Sequence, residues 1–207
     1  MYQPASSFFA RAAMTNPSTP NRRLRTGLAI GLSFIVGIFV FLTTFTLIKH
    51  FTPASTQGLL PPSERSPAAL KLPTLAGTTW SLTDHAGQVV IINYFATWCP
   101  PCREEMPELQ KIAAEFSSKN VHTVAISFDQ DAQLGKPFLP VVTDYVAAEK
   151  IEFPVLIPPR DSGLFAVETP LPQTFLIDKH GRTAQSILGP IDPKDIRASL
   201  DKLINEE

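Results

Sequence analysis

The sequence predicts an α/β domain with a mixed sheet, preceded by an N-terminal transmembrane helix. Two continuous runs of β-branched and aromatic residues, 88–95 and 121–128, have the composition of strands that are buried on both faces of a sheet. Between these runs, residues 102–117 repeat apolar side chains at the spacing of one helix face. A strand, a helix and a second strand in this order imply a right-handed parallel crossover.

Shorter segments supply the other elements between the crossover and the end of the chain. Residues 79–82 precede the crossover and have the composition of a short strand. After the crossover, residues 140–150 are suited to a second helix, and residues 153–157 to a further short strand.

The last part of the chain predicts a hairpin and a helix. Residues 174–177 and 183–188 flank a turn-rich stretch in which Gly181 supplies a positive φ, so we expect the two runs to pair antiparallel. Residues 192–203 form the last helix, because its first residues are an aspartate N-cap and a proline at the first helical position. Parallel and antiparallel pairs together give the mixed sheet.

A long apolar run near the N-terminus predicts the membrane helix. Gly27 to Ile48 are 22 consecutive uncharged positions, a length that suits the hydrocarbon core of a bilayer. Of the 18 lysine and arginine residues, 4 precede this run with no acid, which leaves 14 basic against 19 acidic residues after it, a balance of −5. The positive-inside rule therefore places the N-terminus in the cytoplasm. A cleaved signal peptide is the alternative, although its apolar region is usually only about 7–15 residues long.

Composition divides the chain into a cytoplasmic disordered tail (1–26), the transmembrane anchor (27–48), a proline-rich linker (49–67) and a folded domain (68–207). The last segment is long enough to bury roughly two thirds of its unfolded surface without cross-links. The cysteines are therefore free for chemistry.

The cysteines of the chain are Cys99 and Cys102, and they lie in the sequence Trp98-Cys99-Pro100-Pro101-Cys102. The loop that they close is too short to constrain the unfolded chain much. The start of a helix and a neighbouring thiol are conditions that lower a thiol pKa. The two prolines lack backbone N–H groups, so the Cys102 N–H is the donor left for the Cys99 sulfur. We therefore predict thiol redox chemistry.

Other site types lack a sequence signature. His50, His85, His122 and His180 are scattered without the spacing of metal ligands, and no glycine-rich phosphate-binding loop occurs. We predict no metal, no cofactor and no nucleic-acid partner.

Three motifs together resemble one family. The WCPPC sequence follows a buried strand, residues 72–77 read LPTLAG, and residues 171–178 read LPQTFLID. Over about residues 68–205, the chain resembles the membrane-anchored thioredoxin-like disulfide reductases of the TlpA/ResA/CcmG type. The resemblance implies a thioredoxin-like fold, in which helices flank a mixed central sheet.

The resemblance also implies roles for individual residues. Cys99 would be the exposed nucleophile that attacks a target disulfide, and Cys102, more buried, would resolve the mixed disulfide. Pro172 matches the proline that is cis in this fold and lies against the dithiol. Leu171 would offer backbone groups to an extended substrate strand, and Trp98 would flank the same substrate site. The alternative for this proline motif is that it only shapes a loop.

Two residues bear on proton transfer. Asn93 is found where thioredoxin itself has a buried acid, and an amide cannot exchange a proton near neutral pH. Glu105 corresponds to the acid that ResA-type proteins place near the active site. Partial burial would raise the pKa of Glu105 and let it act as a base for Cys102. Alternatively, Glu105 is a first-turn acid that complements the helix dipole, as we expect for Glu104.

The leading functional interpretation is a membrane-tethered protein-disulfide reductase. It predicts a single-pass protein of the bacterial inner membrane whose C-terminal domain lies in the periplasm. The resemblance implies a transmembrane thiol-transfer protein as the electron donor, and apocytochrome c or metal-site assembly proteins as clients. A peroxiredoxin-like peroxidase is an alternative, although it needs a Thr-x-x-Cys arrangement and Thr97 is only two residues before Cys99. A non-catalytic module that binds partner thiols is the third possibility.

Overall fold

The computed structural model describes residues 58–165 and 169–206, together with Ile38 alone. Residues 58–165 and 169–206 belong to one compact unit, Ala54–Glu207. The predicted tail 1–26 and, Ile38 excepted, the predicted anchor 27–48 lie outside the described residues. Within the part of the chain that is described, no helix combines the length and the apolar composition needed to cross a bilayer.

A six-stranded mixed sheet forms the centre of the domain. The strands of the domain are β1 Ser66–Pro67, β2 Lys71–Pro73, β3 Thr79–Ser81, β4 Val89–Phe95, β5 Val121–Ser127, β6 Val155–Leu156, β7 Gln173–Ile177 and β8 Arg182–Leu188. The order in the six-stranded sheet is β1-β8-β7-β4-β5-β6. Strands β4 and β5 pair in parallel from Val89 opposite Val121 to Phe95 opposite Ser127, as the predicted crossover requires. Strands β7 and β8 form the predicted antiparallel hairpin, and β7 also pairs antiparallel with β4.

The predicted helices are present with shifted ends. The helices are α1 Pro100–Ser117, α2 Asp131–Leu134, α3 Phe138–Ala148 and α4 Pro193–Asn205, with 3-10 turns at Pro62–Glu64 and Leu82–His85. Helix α1 begins at Pro100 rather than Cys102, because Cys99 is its N-cap and the two prolines occupy its first positions. Helix α2 is a single turn that the sequence analysis does not predict, and Gly135 ends it with a φ of +64°.

Strand β4 lies inside the sheet between β5 and β7, and the cysteines follow shortly after its end. Val90, Ile91 and Phe95 in this strand have no exposed surface, which confirms the continuous apolar run as a strand buried on both faces. On one side, helix α1 buries the apolar face that its periodicity predicts, including Met106 and Ile112. The position of the dithiol is therefore fixed by the best-packed part of the domain.

Residues 58–67 differ from the prediction of a linker. The Leu60 N–H donates to the Ala184 carbonyl at 2.8 Å, and strand β1 pairs antiparallel with β8. The Ala68 N–H donates to the Gly181 carbonyl at 2.9 Å. The folded domain thus includes residues 58–67, because backbone pairing with β8 offsets the low apolar content of this proline-rich segment.

A buried arginine anchors this segment to the end of the chain. The Arg65 guanidinium, 1% exposed, donates to Asp178 Oδ2 at 3.1 Å and to Glu206 Oε1 at 2.9 Å. Its Nε donates to the Leu60 carbonyl at 3.0 Å. Arg182 also donates to Asp178 Oδ2, at 2.8 Å. Arg65 thereby joins the N-terminal segment, the β7–β8 turn and the last helix through one charged group.

We predict that Arg65→Met lowers the free energy of unfolding by about 3 kcal/mol, because it leaves the buried Asp178 carboxylate without one of its cationic partners. Urea denaturation followed by tryptophan fluorescence checks this, since Trp80 and Trp98 both lie in the folded domain.

Arg160→Met is the matched control, because Arg160 pairs with Asp131 at the surface with 71% of its side chain exposed. A surface pair contributes about 0–1 kcal/mol. Equal losses of stability in the two variants would contradict the role of Arg65.

Candidate active site

The cysteines lie where strand β4 ends and helix α1 begins. They form a disulfide, with their Cα atoms 5.4 Å apart. Cys99 caps helix α1, and its sulfur accepts a hydrogen bond from the Cys102 N–H at 3.3 Å. This bond confirms that the Cys102 amide is the donor left by Pro100 and Pro101. The same N–H and the helix dipole would stabilise a thiolate on Cys99 after reduction.

The two cysteines differ less in solvent exposure than predicted. In this oxidised form Cys99 is 3% exposed and Cys102 has no exposed surface. The expectation of an exposed Cys99 is therefore corrected: the disulfide and the residues around it cover most of the side chain. Cys99 nevertheless lines an open groove, whereas Cys102 faces the core. Access to the disulfide is through Cys99.

The first residues of the proline motif line the same groove as Cys99. The peptide bond between Leu171 and Pro172 is cis, as the resemblance implies. Leu171 lines the groove together with Cys99 and Trp98. Pro172 is buried, and its carbonyl accepts a hydrogen bond from the Gly189 N–H at 2.9 Å. The predicted substrate residues Trp98 and Leu171 are thus brought together at the dithiol.

Glu105 is a buried carboxylate on the same helix as Cys102. Glu105 is 6% exposed. It lies one helical turn after Cys102, so the Cβ atoms of the two residues are about 5–6 Å apart. Oε1 accepts from Asn93 Nδ2 at 2.8 Å and Oε2 from the Ile191 N–H at 3.0 Å. Burial raises the pKa of Glu105 above its usual value, while these two hydrogen bonds oppose the rise. The predicted direction of the pKa change is confirmed.

Asn93 connects Glu105 to the strand that carries the proline motif. It has no exposed surface, and its Nδ2 also donates to Thr174 Oγ1 at 3.0 Å. Asn93 Oδ1 has no hydrogen-bond partner. If the amide rotates by half a turn, this oxygen can accept a hydrogen bond from the O–H of a neutral Glu105. The site can therefore hold Glu105 in either protonation state.

Asp129 is a second buried carboxylate at the dithiol, and the sequence analysis does not identify it. Asp129 is 1% exposed, and its oxygens accept from the Thr97 N–H at 3.0 and 3.2 Å and from the Thr97 hydroxyl at 2.6 Å. The Ser127 hydroxyl donates to Oδ2 at 2.9 Å. Asp129 therefore fixes the turn that precedes Trp98. A sequence signal does exist: Asp129 follows strand β5, whose carboxyl end meets that of β4 at the same edge of the sheet.

Metal-binding geometry is not found around these residues. Among residues 58–165 and 169–206, no three His, Cys, Asp or Glu side chains are grouped to hold a metal ion. His85 and His122, which look isolated in the sequence, stack with ring centroids 3.9 Å apart, and Trp80 Nε1 donates to His122 Nε2 at 3.2 Å. Burial, with a smaller effect of His85, lowers the pKa of His122 to about 4. This stack lies at the start of β5, the end of the strand opposite to the dithiol.

Comparison with known proteins gives a consistent family. The AhpC/TSA family matches residues 64–186. The chain is 33% identical over 133 residues to the thiol-disulfide oxidoreductase ResA of Geobacillus thermodenitrificans (strain NG80-2), covering 64% of this chain and 72% of that protein. It is 29% identical over 181 residues to ResA of Geobacillus kaustophilus (strain HTA426), covering 87% of this chain and 94% of that protein. The thioredoxin-like protein YneN of Bacillus subtilis (strain 168) is 31% identical over 130 residues, with 63% and 74% covered.

Solved structures confirm the thioredoxin-like fold. A thiol:disulfide interchange protein of the thioredoxin family from Chlorobium tepidum TLS matches with a TM-score of 0.58 and 26% identity, covering 70% of this chain and 100% of that chain. A DsbF homologue from Corynebacterium diphtheriae matches with a TM-score of 0.59 and 24% identity, covering 70% and 91%.

We predict that Thr97→Val lowers the free energy of unfolding by about 1.5–3 kcal/mol, because it removes a hydrogen bond to a buried carboxylate. Thr97→Ser keeps the hydroxyl and should restore most of this loss. Urea denaturation of the oxidised chain measures both variants. Equal stability of the valine variant and the natural chain would show that the Asp129 contact does not hold the turn.

We predict that Glu105→Gln leaves the fold intact, because rotation of the Asn93 amide offers an acceptor to the new NH₂ group. An ionised Glu105 disfavours a second negative charge on Cys102, so in the variant the titration midpoint of the Cys102 thiol falls by on the order of 1 pH unit. NMR titration of the ¹³Cβ signals of both cysteines in the reduced chain measures this midpoint.

Glu104→Gln is the control for this titration, since Glu104 is in the same helical turn but exposed. It should leave the titration of Cys102 unchanged. Identical curves for the natural chain and Glu105→Gln would remove Glu105 from the proton chemistry of the site.

Proposed function

The chain belongs to the AhpC/TSA family, and on that premise we propose that it is a membrane-tethered thiol-disulfide oxidoreductase that reduces protein disulfides outside the cytoplasm. The observation that carries this proposal is the Cys99–Cys102 disulfide at a helix N-terminus, with Cys99 and Leu171 lining the same open groove. The names of its ResA relatives support the same chemistry.

The reaction begins from the reduced dithiol. The Cys99 thiolate attacks one sulfur of a client disulfide, so a Cys99–client bond forms while the client's own S–S bond breaks and one client thiolate leaves. Cys102 then loses its proton and attacks the Cys99 sulfur, which releases the second client thiolate. The client gains two electrons, and the chain ends with the Cys99–Cys102 disulfide. A dithiol donor must reduce this disulfide before the next turnover.

The buried polar residues fit the second step. Cys102 has no exposed surface, so water cannot readily take its proton. Glu105 lies one helical turn away, and burial raises the pKa of its carboxyl group toward the range in which it can accept and return that proton. Glu105 is therefore the proposed base for Cys102.

Three further parts of the proposal rest on the sequence and on resemblance. The uncharged run 27–48 supports a membrane anchor, and the charge asymmetry around it supports a single-pass protein of the bacterial inner membrane with a periplasmic domain. The alignment of 181 residues with one ResA is too long to fit within 58–207, so it extends into the N-terminal segment. Resemblance suggests a transmembrane thiol-transfer protein as donor, and apocytochrome c or metal-site assembly proteins as clients.

A peroxidase has weaker support. The threonine nearest to Cys99 on its N-terminal side is Thr97, and its hydroxyl donates to Asp129 Oδ1 at 2.6 Å. This hydroxyl is therefore committed to the turn and is not offered to a peroxide at Cys99.

We predict that full-length Cys102→Ser, expressed in a bacterial host, accumulates covalent adducts with client proteins, because the mixed disulfide on Cys99 can no longer be resolved. Adducts are purified, separated without reductant and identified by mass spectrometry. They should disappear on treatment with dithiothreitol.

The matched control is Cys99→Ser, which keeps one thiol of the same pair but removes the nucleophile. It should yield at least about tenfold fewer adducts, since the buried Cys102 is inaccessible to clients. A module that only binds thiols would give no covalent adduct with either variant, and equal adducts with both would contradict the assignment of Cys99 as the nucleophile.

A further inference from the structure

A stack of three aromatic rings, those of Trp80, His85 and His122, lies outside the candidate active site. The His85 and His122 ring centroids are 3.9 Å apart with their planes 21° from parallel, and the Trp80 ring stacks on His85 at 5.0 Å. Trp80 is in strand β3, His85 ends the 3-10 turn that follows, and His122 is in strand β5 of the central sheet. Strands β2 and β3 pair antiparallel as a hairpin. The stack therefore joins this hairpin to the sheet through side chains.

The hydrogen bond inside the stack requires a neutral His122. Trp80 Nε1 donates to His122 Nε2 at 3.2 Å, and an indole nitrogen can only donate. His122 Nε2 therefore accepts and carries no proton, which leaves the ring proton on Nδ1. A second proton on His122 would turn Nε2 into a donor that faces the donor of Trp80, and the hydrogen bond would be lost.

No ion pair compensates a proton on His122. The ionisable residues on the elements around the two histidines are Asp84, Lys119, Glu152 and Lys179. Among the residues that the structure describes, none of these four forms an ion pair with either histidine ring. Burial, with a smaller effect of His85, accordingly lowers the pKa of His122 to about 4.

The β2–β3 hairpin is attached to the sheet in two ways. Near its turn the attachment is by backbone: the Leu75 N–H donates to the Val155 carbonyl at 2.7 Å, and the Ile157 N–H donates to the Pro73 carbonyl at 2.8 Å. Further along strand β3 the attachment is by the side chain of Trp80, which is 6% exposed. A two-stranded hairpin alone is at best marginally stable in water, so these contacts decide whether it stays in place.

We infer that the Trp80–His85–His122 stack is an acid-sensitive latch, which holds the β2–β3 hairpin on the sheet while His122 is neutral and releases Trp80 when His122 is protonated. A protonated His122 would lose its bond with Trp80 and would hold a charge in a partly buried site without a counter-ion. Opening gives the charged ring access to water, so acid favours the open form. The backbone bonds to β6 involve no titratable group, and we therefore expect the hairpin to open locally before the domain unfolds.

The direction of the effect and its pH range follow from His122. In the closed form the pKa of this ring is about 4, whereas in an open form it returns toward its ordinary value of 6.5. The open form therefore binds the proton more tightly. The preference for the closed form is complete above pH 6.5 and is lost progressively as the pH falls from 6.5 to about 4.

The test measures amide hydrogen exchange in the full-length chain at pH 7 and at pH 4. Rates are expressed as protection factors, which remove the intrinsic pH dependence of exchange. A suitable probe in the hairpin is the Leu82 amide, whose N–H donates to the Leu70 carbonyl at 2.8 Å. We expect protection of the hairpin amides to fall at least about tenfold between the two pH values, and protection of the β4 and β5 amides to fall by a smaller factor.

A substitution of His122 should remove this pH dependence. His122→Gln keeps an acceptor for Trp80 Nε1 but cannot become charged near neutral or acidic pH. We expect its hairpin protection to change by less than about threefold between pH 7 and pH 4. His180→Gln is the matched control, because it removes a histidine of the β7–β8 turn that is not part of the stack. The control should show the same fall as the natural chain.

A second measurement does not depend on the folding of a variant. NMR titration of the ring signals of the natural chain gives the midpoint of His122, and a midpoint at the ordinary value of 6.5 would overturn the latch. Hairpin protection that does not fall with acid, that falls equally in His122→Gln, or that falls no more than protection of β4 and β5 would overturn it as well. The dithiol takes no part in these measurements, so failure of the latch leaves the proposed function unchanged.

Discussion

Strand β4 is the constraint on which the site depends. It is paired in parallel with β5 on one side and antiparallel with β7 on the other, and its apolar residues are fully buried. Its end therefore has one position in the domain, with Asp129 arriving from β5 and Pro172 from the start of β7. The dithiol, the turn before it and the proline motif are brought together by the register of three neighbouring strands.

Two buried acidic residues near the dithiol, Asp129 and Glu105, have different roles. Asp129 accepts hydrogen bonds from the Thr97 amide, the Thr97 hydroxyl and the Ser127 hydroxyl, and these bonds fix the turn before Trp98. Glu105 receives only the Asn93 amide and the Ile191 amide, and burial dominates its pKa. One acid is thereby suited to hold structure and the other to exchange a proton.

Much of the fold and the centre of the site could be predicted from local sequence. Adjacent residues are enough to predict the buried strands, the apolar face of helix α1 and the helix cap at Cys99. The resemblance to a known family identifies the proline motif. The contacts of Asp129, the anchoring of Arg65 and the Phe128–Phe165 pair could not be predicted, because each joins segments far apart in the chain. Residues 58–67 have the composition of a linker, and only pairing with β8 reveals them as part of the domain. Cys99 is only 3% exposed in the oxidised form, and this burial arises from tertiary packing that the local sequence does not show.

Under the proposed function, Cys99 and Cys102 pass two electrons to a client protein. The most direct measurement mixes the fully reduced, full-length chain with an equimolar disulfide-containing protein, stops the reaction by alkylation and counts alkylated thiols on each protein by mass. We expect Cys99 and Cys102 to lose both thiols while the client gains two. A client that remains oxidised while the chain keeps both thiols, across a range of protein disulfides, would contradict it.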